Sequence, residues 1–460
     1  MPTVAPRIRE LPDRLVRKGV WSVALILILV AAGWYAKKAN DGNSAFVRWR
    51  PQVLAFWSGV NVYDKQMFPN PPIMPLTLLP LMLLPTVVGA MVWFAFKAVL
   101  AAASARMCFR MAEAVPGWRI SPWAEGLVLL LSLRPILSDL HHGNNNLVIL
   151  FLVVASLYAW RQGYDVLAGM ALALAITYKV TPALFVPYFL YKRSWRTAGA
   201  TCLGVGIFLL AVPSLFIGAE FNGQCLGMWW HRILSPYLAS NEFSPQEINQ
   251  SMVGVLSRLL TAPKEAGRYT VEHHLNLVNW DRQFVGRLCK VISLALVALL
   301  AFLCRTRARR RDDARLLGEF SLVVLTMLFV SERSWKHHFV TMMLPFTFLI
   351  AAAYSATLPR RAQLAATVGV WLAAFLMATT SSEIGSVLWG SGGHKVAQFY
   401  GMFLWAGAVL YVATAWRVRA DRLNEPSRTP TAHDHPPAPH LSGAPAREGA
   451  HAGGDPVSAS

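Results

Sequence analysis

The sequence predicts an all-α polytopic membrane protein of about twelve spans, and three observations carry that prediction. Charged residues make up 15% of the 460 residues and hydrophobic ones 55%, with a mean hydropathy of +0.40, where a soluble domain carries about 25% charged residues. The apolar stretches are continuous, not the alternating segments of about ten residues that a membrane barrel requires; backbone polar groups in hydrocarbon must then be satisfied inside helices. The positive charge, net +19, is gathered in short clusters between the apolar runs. Such clusters are Arg14, Arg17 and Lys18; Lys192, Arg193 and Arg196; Arg305 to Arg311; Arg360 and Arg361; Arg417 and Arg419. This is the pattern of cytoplasmic loops, and it replaces a nucleic-acid reading of the basic balance.

A span takes about 20 apolar residues, or about 17 inside a bundle. Val20–Tyr35 is the first, a retained span and not a cleaved signal, with residues 1–18 in the cytoplasm. The first external loop covers 36–86; Pro72–Pro85, broken by four prolines, reads as a short helical hairpin dipping into the interface. Val87–Ala105, Pro122–Leu140, Leu147–Trp160, Val166–Lys179, Pro182–Tyr191 and Ala198–Ile217 alternate across the bilayer. A large, partly helical external loop covers 218–287. Leu288–Cys304, Leu316–Val330, Phe339–Tyr354, Leu364–Ala378 and Val396–Ala415 complete a transmembrane domain at 19–423. Residues 424–460, rich in Pro, Ala, Gly, Ser and His, form a disordered cytoplasmic tail. The five cysteines show neither a disulfide framework nor zinc spacing.

This threading delivers four polar clusters to one face: Asn40–Asp41, His141–Asn146, Lys179 with Pro182, and Ser331–His338. Convergence of ionisable groups from distant segments is how a helical membrane protein builds a site. The same clusters resemble glycosyltransferase family 87, the polyprenyl-phosphate-mannose-dependent α-mannosyltransferases of the GT-C superfamily. An Asp soon after the first span precedes Gly59-Val60-Asn61-Val62-Tyr63-Asp64 and Phe68-Pro69-Asn70-Pro71-Pro72. His142-Gly143-Asn144-Asn145-Asn146 is similar to the family's His-Gly-Gln-x-Asn, with Asn144 in place of Gln. Lys179-Val180-Thr181-Pro182 is similar to its Lys-x-x-Pro, Ser334-Trp335-Lys336-His337-His338 to its Ser-Trp-x-His-His, and Asn249-Gln250-Ser251 to its Asn-Gln-Ser. The resemblance runs from about residue 20 to 415 and implies a GT-C-type bundle, an extracytoplasmic active site in the cell (inner) membrane, and a lipid-linked sugar donor, with mannose as the sugar. It also implies an acidic base in the first external loop.

Transfer of a sugar from such a donor to a hydroxyl passes through an oxocarbenium-like transition state. One carboxylate as base suffices for inversion, provided cations hold the leaving phosphate. A loop Asp is more often merely solvated; the resemblance selects Asp41 as the base, with Asp64 as its rival and otherwise a sugar- or acceptor-binding residue. Lys179 is the expected phosphate ligand, because a lysine inside an apolar run must face a cavity or snorkel and a Thr-Pro break adjoins it. His337, His338 and Arg333, with Arg134 behind them, are further phosphate candidates. His142, Asn144 and Asn146 offer donors and acceptors to sugar hydroxyls, or cap the following helix. Trp335 stacks on a sugar or belongs to an interfacial aromatic belt, as do Trp57 and Trp229. Lys97 lacks such context and reads as a snorkelling or packing residue. No required metal or cofactor and no nucleic acid are expected; the expected partners are the polyprenyl-phosphate sugar, a lipid or glycan acceptor and the bilayer. A flippase of lipid-linked sugars is the alternative, and a membrane acyltransferase using a His a more distant one; a flippase needs polar groups along a mid-membrane path.

Overall fold

A bilayer offers the backbone no partners, so each apolar segment closes its own hydrogen bonds as helix, and turns fall where Pro, Gly, Asn and Asp interrupt the runs. The computed structural model describes residues 12–64, 68–236, 246–262, 277–308, 310–354 and 359–423, the last three without their side chains. All regular structure among the described residues is helical, and no strand occurs. The expected tail at 424–460 and His273–His274 of the large loop lie outside the described residues.

The chain begins with α1 (Asp13–Asn40) and α2 (Ala45–Trp57), joined by a turn in which Ser44 caps α2 by accepting from the Val47 amide at 3.2 Å. α3 (Ile73–Met82) is a single buried helix leading almost directly into α4 (Thr86–Glu113). The hairpin expected inside Pro72–Pro85 is therefore formed differently: α2 is the partner of α3, and the Arg50 Nε donates to the Met82 carbonyl at 2.9 Å. Next come α5 (Pro122–His142), α6 (Asn146–Arg161) and α7 (Asp165–Tyr178). At Lys179 the backbone is extended, a 3-10 turn follows at Thr181–Leu184, and α8 (Phe185–Tyr191) completes the broken segment. α9 (Trp195–Ile217) contains a π turn at Ile207–Ala211, and α10 (Ala219–Trp229) and α11 (Met252–Leu260) lie in the large loop. α12 (Arg282–Leu303), α13 (Ala314–Val330), a 3-10 segment Lys336–Met342 continuing into α14 (Met343–Ala353), and α15 (Arg360–Ala378) follow. Two short helices, α16 (Ser382–Trp389) and α17 (Gly393–Phe399), precede α18 (Met402–Leu423).

Among the described residues, five helices are long and apolar enough to cross a membrane, α1, α4, α9, α12 and α15, and six if α17 and α18, bent by 54° at their junction, form one span. Of the expected all-helical bundle of about twelve spans, the helical class and these five or six membrane-capable helices are present among the described residues. Two of the other expected spans fall outside that criterion for identifiable reasons. α6 has 16 residues, about 24 Å at 1.5 Å per residue, short of the roughly 30 Å of hydrocarbon. α5 is long enough but carries Glu125, Arg134 and Asp139, each of which finds a protein partner instead of lipid.

α13 and α14 form the centre: nearly all their side chains are buried, among them Phe320, Phe346 and Phe348. α1 lies at the periphery, packed on α4 and α5, with little of its apolar surface covered by protein. At one end of the bundle Lys192 is buried against Glu319 at 2.7 Å, and Tyr188 donates to the same carboxylate at 2.8 Å. The opposite end, where α1, α5 and α7 finish, gathers the polar motifs.

Candidate active site

The turn between α5 and α6 organises this end. Gly143 closes α5 in the left-handed region (φ 69°), and its carbonyl accepts from the Trp93 indole at 3.0 Å. Asn144 turns its amide oxygen back to the Asn145 amide at 2.8 Å, which leaves its nitrogen 3.0 Å from the His337 Nε2. The His142 ring lies 5.2 Å from that of His337 and is anchored through Nδ1 to the Ser138 carbonyl at 2.7 Å. His337 in turn meets His338 at 4.9 Å and Trp335 at 5.4 Å between ring centres.

Beneath the turn runs a polar chain, buried at Lys97, Asp139 and Asn146 and half-buried at Lys179. Lys97 donates to the Asp139 carboxylate and carbonyl, both at 2.9 Å. The other carboxylate oxygen of Asp139 accepts from the Asn146 backbone and side-chain nitrogens at 3.0 and 3.1 Å. The Asn146 oxygen accepts from the Lys179 ammonium at 3.1 Å. Lys97 is thus no snorkelling residue: it is 0% exposed and paired, because an ammonium so deep in the bundle needs a counter-ion. Asp139 is the member of this network that the motif reading overlooked.

Lys179 opens onto a cavity of about 20 Å³, room for about one water, lined by Asn146, Lys179, Ser331, Ser334, His338 and Thr341 among others. Burial holds the His337 and His338 imidazoles well below the usual range, and neighbouring positive charges (His142 and Lys179 for His337, Lys179 for His338) push the same way. Burial, and then Arg134, lowers the Lys336 ammonium to about 8.

Asn249-Gln250-Ser251 supplies the scaffold behind this segment. The Asn249 oxygen accepts from the Ser334 amide at 3.1 Å, and its nitrogen donates to the Glu332 carbonyl at 3.0 Å. The Ser251 hydroxyl donates to the same carbonyl at 2.7 Å, and the Gln250 amide to the Ser334 carbonyl at 2.6 Å. Gln250 also reaches across to the α17–α18 junction, donating to the Gln398 carbonyl at 2.7 Å.

The structure brings some of the expected residues together and leaves others apart. His142, Asn144, Asn146, Lys179, His337, His338 and Trp335 are joined in one constellation. Asp41 is exposed on the α1–α2 turn and makes no hydrogen bond or ion pair through its side chain among the described residues. Its turn abuts the constellation, since Tyr35 and Phe46, on either side of it, both contact Gly143. Asp64 pairs with Arg232 at 3.0 Å on an exposed rim, outside the constellation. Arg333 is exposed and enters through its backbone, which accepts from the His338 Nδ1 at 3.0 Å. Arg134 is committed to Thr380 through its Nε at 2.8 Å. Trp229 donates to the Pro69 carbonyl at 3.1 Å and Trp57 to that of Pro75 at 3.4 Å, so both hold the first loop.

Comparison with known proteins gives the chain relatives. Over 247 residues, 52% of this chain and 50% of the relative, the sequence is 27% identical to a polyprenol-phosphate-mannose-dependent α-(1-2)-phosphatidylinositol mannoside mannosyltransferase of Mycolicibacterium smegmatis. The protein of the same description from Mycobacterium tuberculosis is 24% identical over 370 residues, 73% of this chain and 78% of the relative. The first alignment thus spans about half the length of the relative it matches. No solved structure matches. The profile of glycosyltransferase family 87 matches residues 68–332, more than half of the chain, from the first-loop Phe-Pro-Asn-Pro-Pro segment to the threshold of Ser-Trp-Lys-His-His, and the chain belongs to that family.

Proposed function

We propose that the chain transfers a mannosyl residue from a polyprenyl-phosphate donor to a lipid or glycan hydroxyl at the outer face of the membrane, by direct displacement with inversion. The observation that supports this most is the state of Lys179: its ammonium, with three protons to donate, has one neutral acceptor, Asn146, and faces a cavity shared with His338. The donor's phosphodiester is the anion that such a cation lacks, and a lysine holds phosphate as a point charge. Because the cavity takes one water, the walls formed by Lys179 and His338 must part to receive it.

In this reading Asp41, at the rim, removes the proton from the acceptor hydroxyl as its oxygen bonds to the sugar C1. The bond from C1 to the phosphate oxygen breaks, its electron pair leaves with the lipid phosphate, and Lys179, His337 and His338 take up the added negative charge. His142 and Asn144 meet the sugar hydroxyls, with Trp335 as a stacking surface; charge compensation is assigned to side chains, without a required metal. The decisive assay supplies the purified chain with polyprenyl-phosphate mannose and candidate acceptors, including phosphatidylinositol mannosides, and detects the glycosylated lipid by mass spectrometry. Asp41→Asn should abolish transfer while still binding donor, and Lys179→Ala should lose donor binding. Full transfer by Asp41→Asn would move the base elsewhere, and unimpaired donor binding by Lys179→Ala would end the assignment.

A further inference from the structure

The buried carboxylate of Asp139 has two oxygens with different partners. One faces Lys97, and the other takes both nitrogens of Asn146. A carboxylate without a proton only accepts, and an ammonium only donates. Between them, the Asn146 amide has one orientation available: nitrogen towards Asp139, oxygen towards Lys179. We propose that Asp139 is a positioning residue of the donor site: it locks the Asn146 amide so that its oxygen holds the Lys179 ammonium at the cavity, while Lys97 serves to balance the Asp139 charge.

This rests on the donor reading of Lys179 and goes beyond it, because it assigns separate roles to two intramembrane charges that no motif contains. If the Lys97–Asp139 pair were only a structural staple, removing both charges together would leave the donor site intact, since replacing a buried pair by apolar residues is often neutral for stability. If Asp139 acts through Asn146, the same double change leaves a folded protein with a misdirected Lys179.

The test uses the full chain in lipid nanodiscs, titrated with a synthetic polyprenyl-phosphate mannose, with thermal unfolding followed in parallel. Lys97→Met/Asp139→Leu should unfold close to the parent temperature yet bind the donor about tenfold or more weakly, the loss expected when a hydrogen bond to a charged group goes. Lys97→Met/Asp139→Asn, which keeps an oxygen for Asn146, should recover most of the binding. Asn146→Ala should weaken binding about as much as the first double change, and combining the two should add little, because residues on one path are non-additive. Parent-like binding by Lys97→Met/Asp139→Leu, or additive losses with Asn146→Ala, would overturn the proposal; should the leucine variant not fold, the cycle with Asn146→Ala is run with Lys97→Met/Asp139→Ala, which likewise lacks a side-chain acceptor for Asn146, and decides in the same way. Lys179→Ala separates the two levels. Parent-like binding there defeats the donor reading itself, whereas its loss alongside parent-like binding by Lys97→Met/Asp139→Leu defeats only the role of Asp139.

Discussion

Gly143 is where the first loop and the His-Gly turn touch, and Gly143→Ala tests whether that contact builds the site. Two costs can be worked out. The residue sits at φ 69°, where an L side chain costs roughly 1–2 kcal/mol. Its new Cβ would stand 2.6 Å from the Tyr35 hydroxyl oxygen and 3.3 Å from the Phe46 amide nitrogen. Tyr35 has no room to swing away, being 0% exposed and stacked on Phe94 at 5.3 Å, so an overpacking cost of about 1–3 kcal/mol applies. The total is about 2–5 kcal/mol, and the strain is relieved by pushing the α1–α2 turn, with Asp41 on it, away from His142 and His337. A misplacement of about 1 Å at a reacting group can cost about a hundredfold in rate. Gly42 gives the control: at φ 72° it has nothing within 4 Å of a built Cβ, so Gly42→Ala should destabilise by the backbone part alone, roughly 1–2 kcal/mol. Adding Tyr35→Phe to Gly143→Ala removes the closest clashing atom and should restore part of both stability and rate. Unfolding in detergent and transfer kinetics read the outcome. Parent-like stability and turnover for Gly143→Ala, or a further loss on adding Tyr35→Phe, would refute the argument.

Three other expectations follow from the geometry. Asn249→Asp keeps the acceptor for the Ser334 amide but sets an oxygen against the Glu332 carbonyl; it should destabilise by about 1–3 kcal/mol and lower kcat more than it changes donor KM, and an unchanged kcat would remove Asn249 from the scaffold of His337. His337 and His338 are held neutral by burial and nearby positive charges, so a bound phosphate must raise their proton affinity: donor binding should take up protons and tighten as pH falls from about 7 to 6, and weaken above about 8 where Lys336 discharges. Calorimetry in buffers of different ionisation enthalpy reads this uptake, and its persistence in His337→Asn/His338→Asn would exclude the imidazoles. For topology, Asp41→Cys and Arg333→Cys, both at exposed positions, should react with an impermeant thiol reagent added outside in a Cys202→Ser background, whereas Arg310→Cys should not; His337 is unsuitable as a reporter because it is 4% exposed, and the reverse labelling pattern would put the constellation in the cytoplasm.

The helical class was legible because hydrocarbon permits little else, and the break after Tyr178 because Lys179 and Pro182 both resist an apolar helix. The number of spans was not, since α3, α6 and α7 are apolar yet short, and sequence hydropathy does not separate a helix that crosses from one buried among others. Within the site, the motif residues converge, whereas Asp139 was hidden inside Pro122–Leu140, read as one span. A physical signal was nonetheless present: Lys97 and Asp139 each stand in an apolar run, and each alone would be costly there. Two such charges of opposite sign are candidates for each other, whatever their separation in sequence. Asp64 carried no comparable signal, because its partner Arg232 lies in a distant loop and both are exposed.

Three lysines, Lys97 and Lys192 buried and Lys179 half-buried, show how saturation separates a fully paired cation from one with donors to spare. Lys192 donates to Glu319 and to the Cys304 and Thr306 carbonyls, between 2.6 and 2.9 Å, and lies 5.5 Å from the Tyr188 ring centre. Its three donors are all used, so it staples its end of the bundle. Lys97 has the carboxylate and carbonyl of Asp139, with the Trp93 ring 5.7 Å away, and its charge is cancelled. Lys179 has one neutral oxygen. A half-buried ammonium kept that far from saturation is costly unless something completes it; under the function proposed above, a phosphate arriving with its own negative charge would be the completing group, and would leave with the lipid as the sugar is transferred.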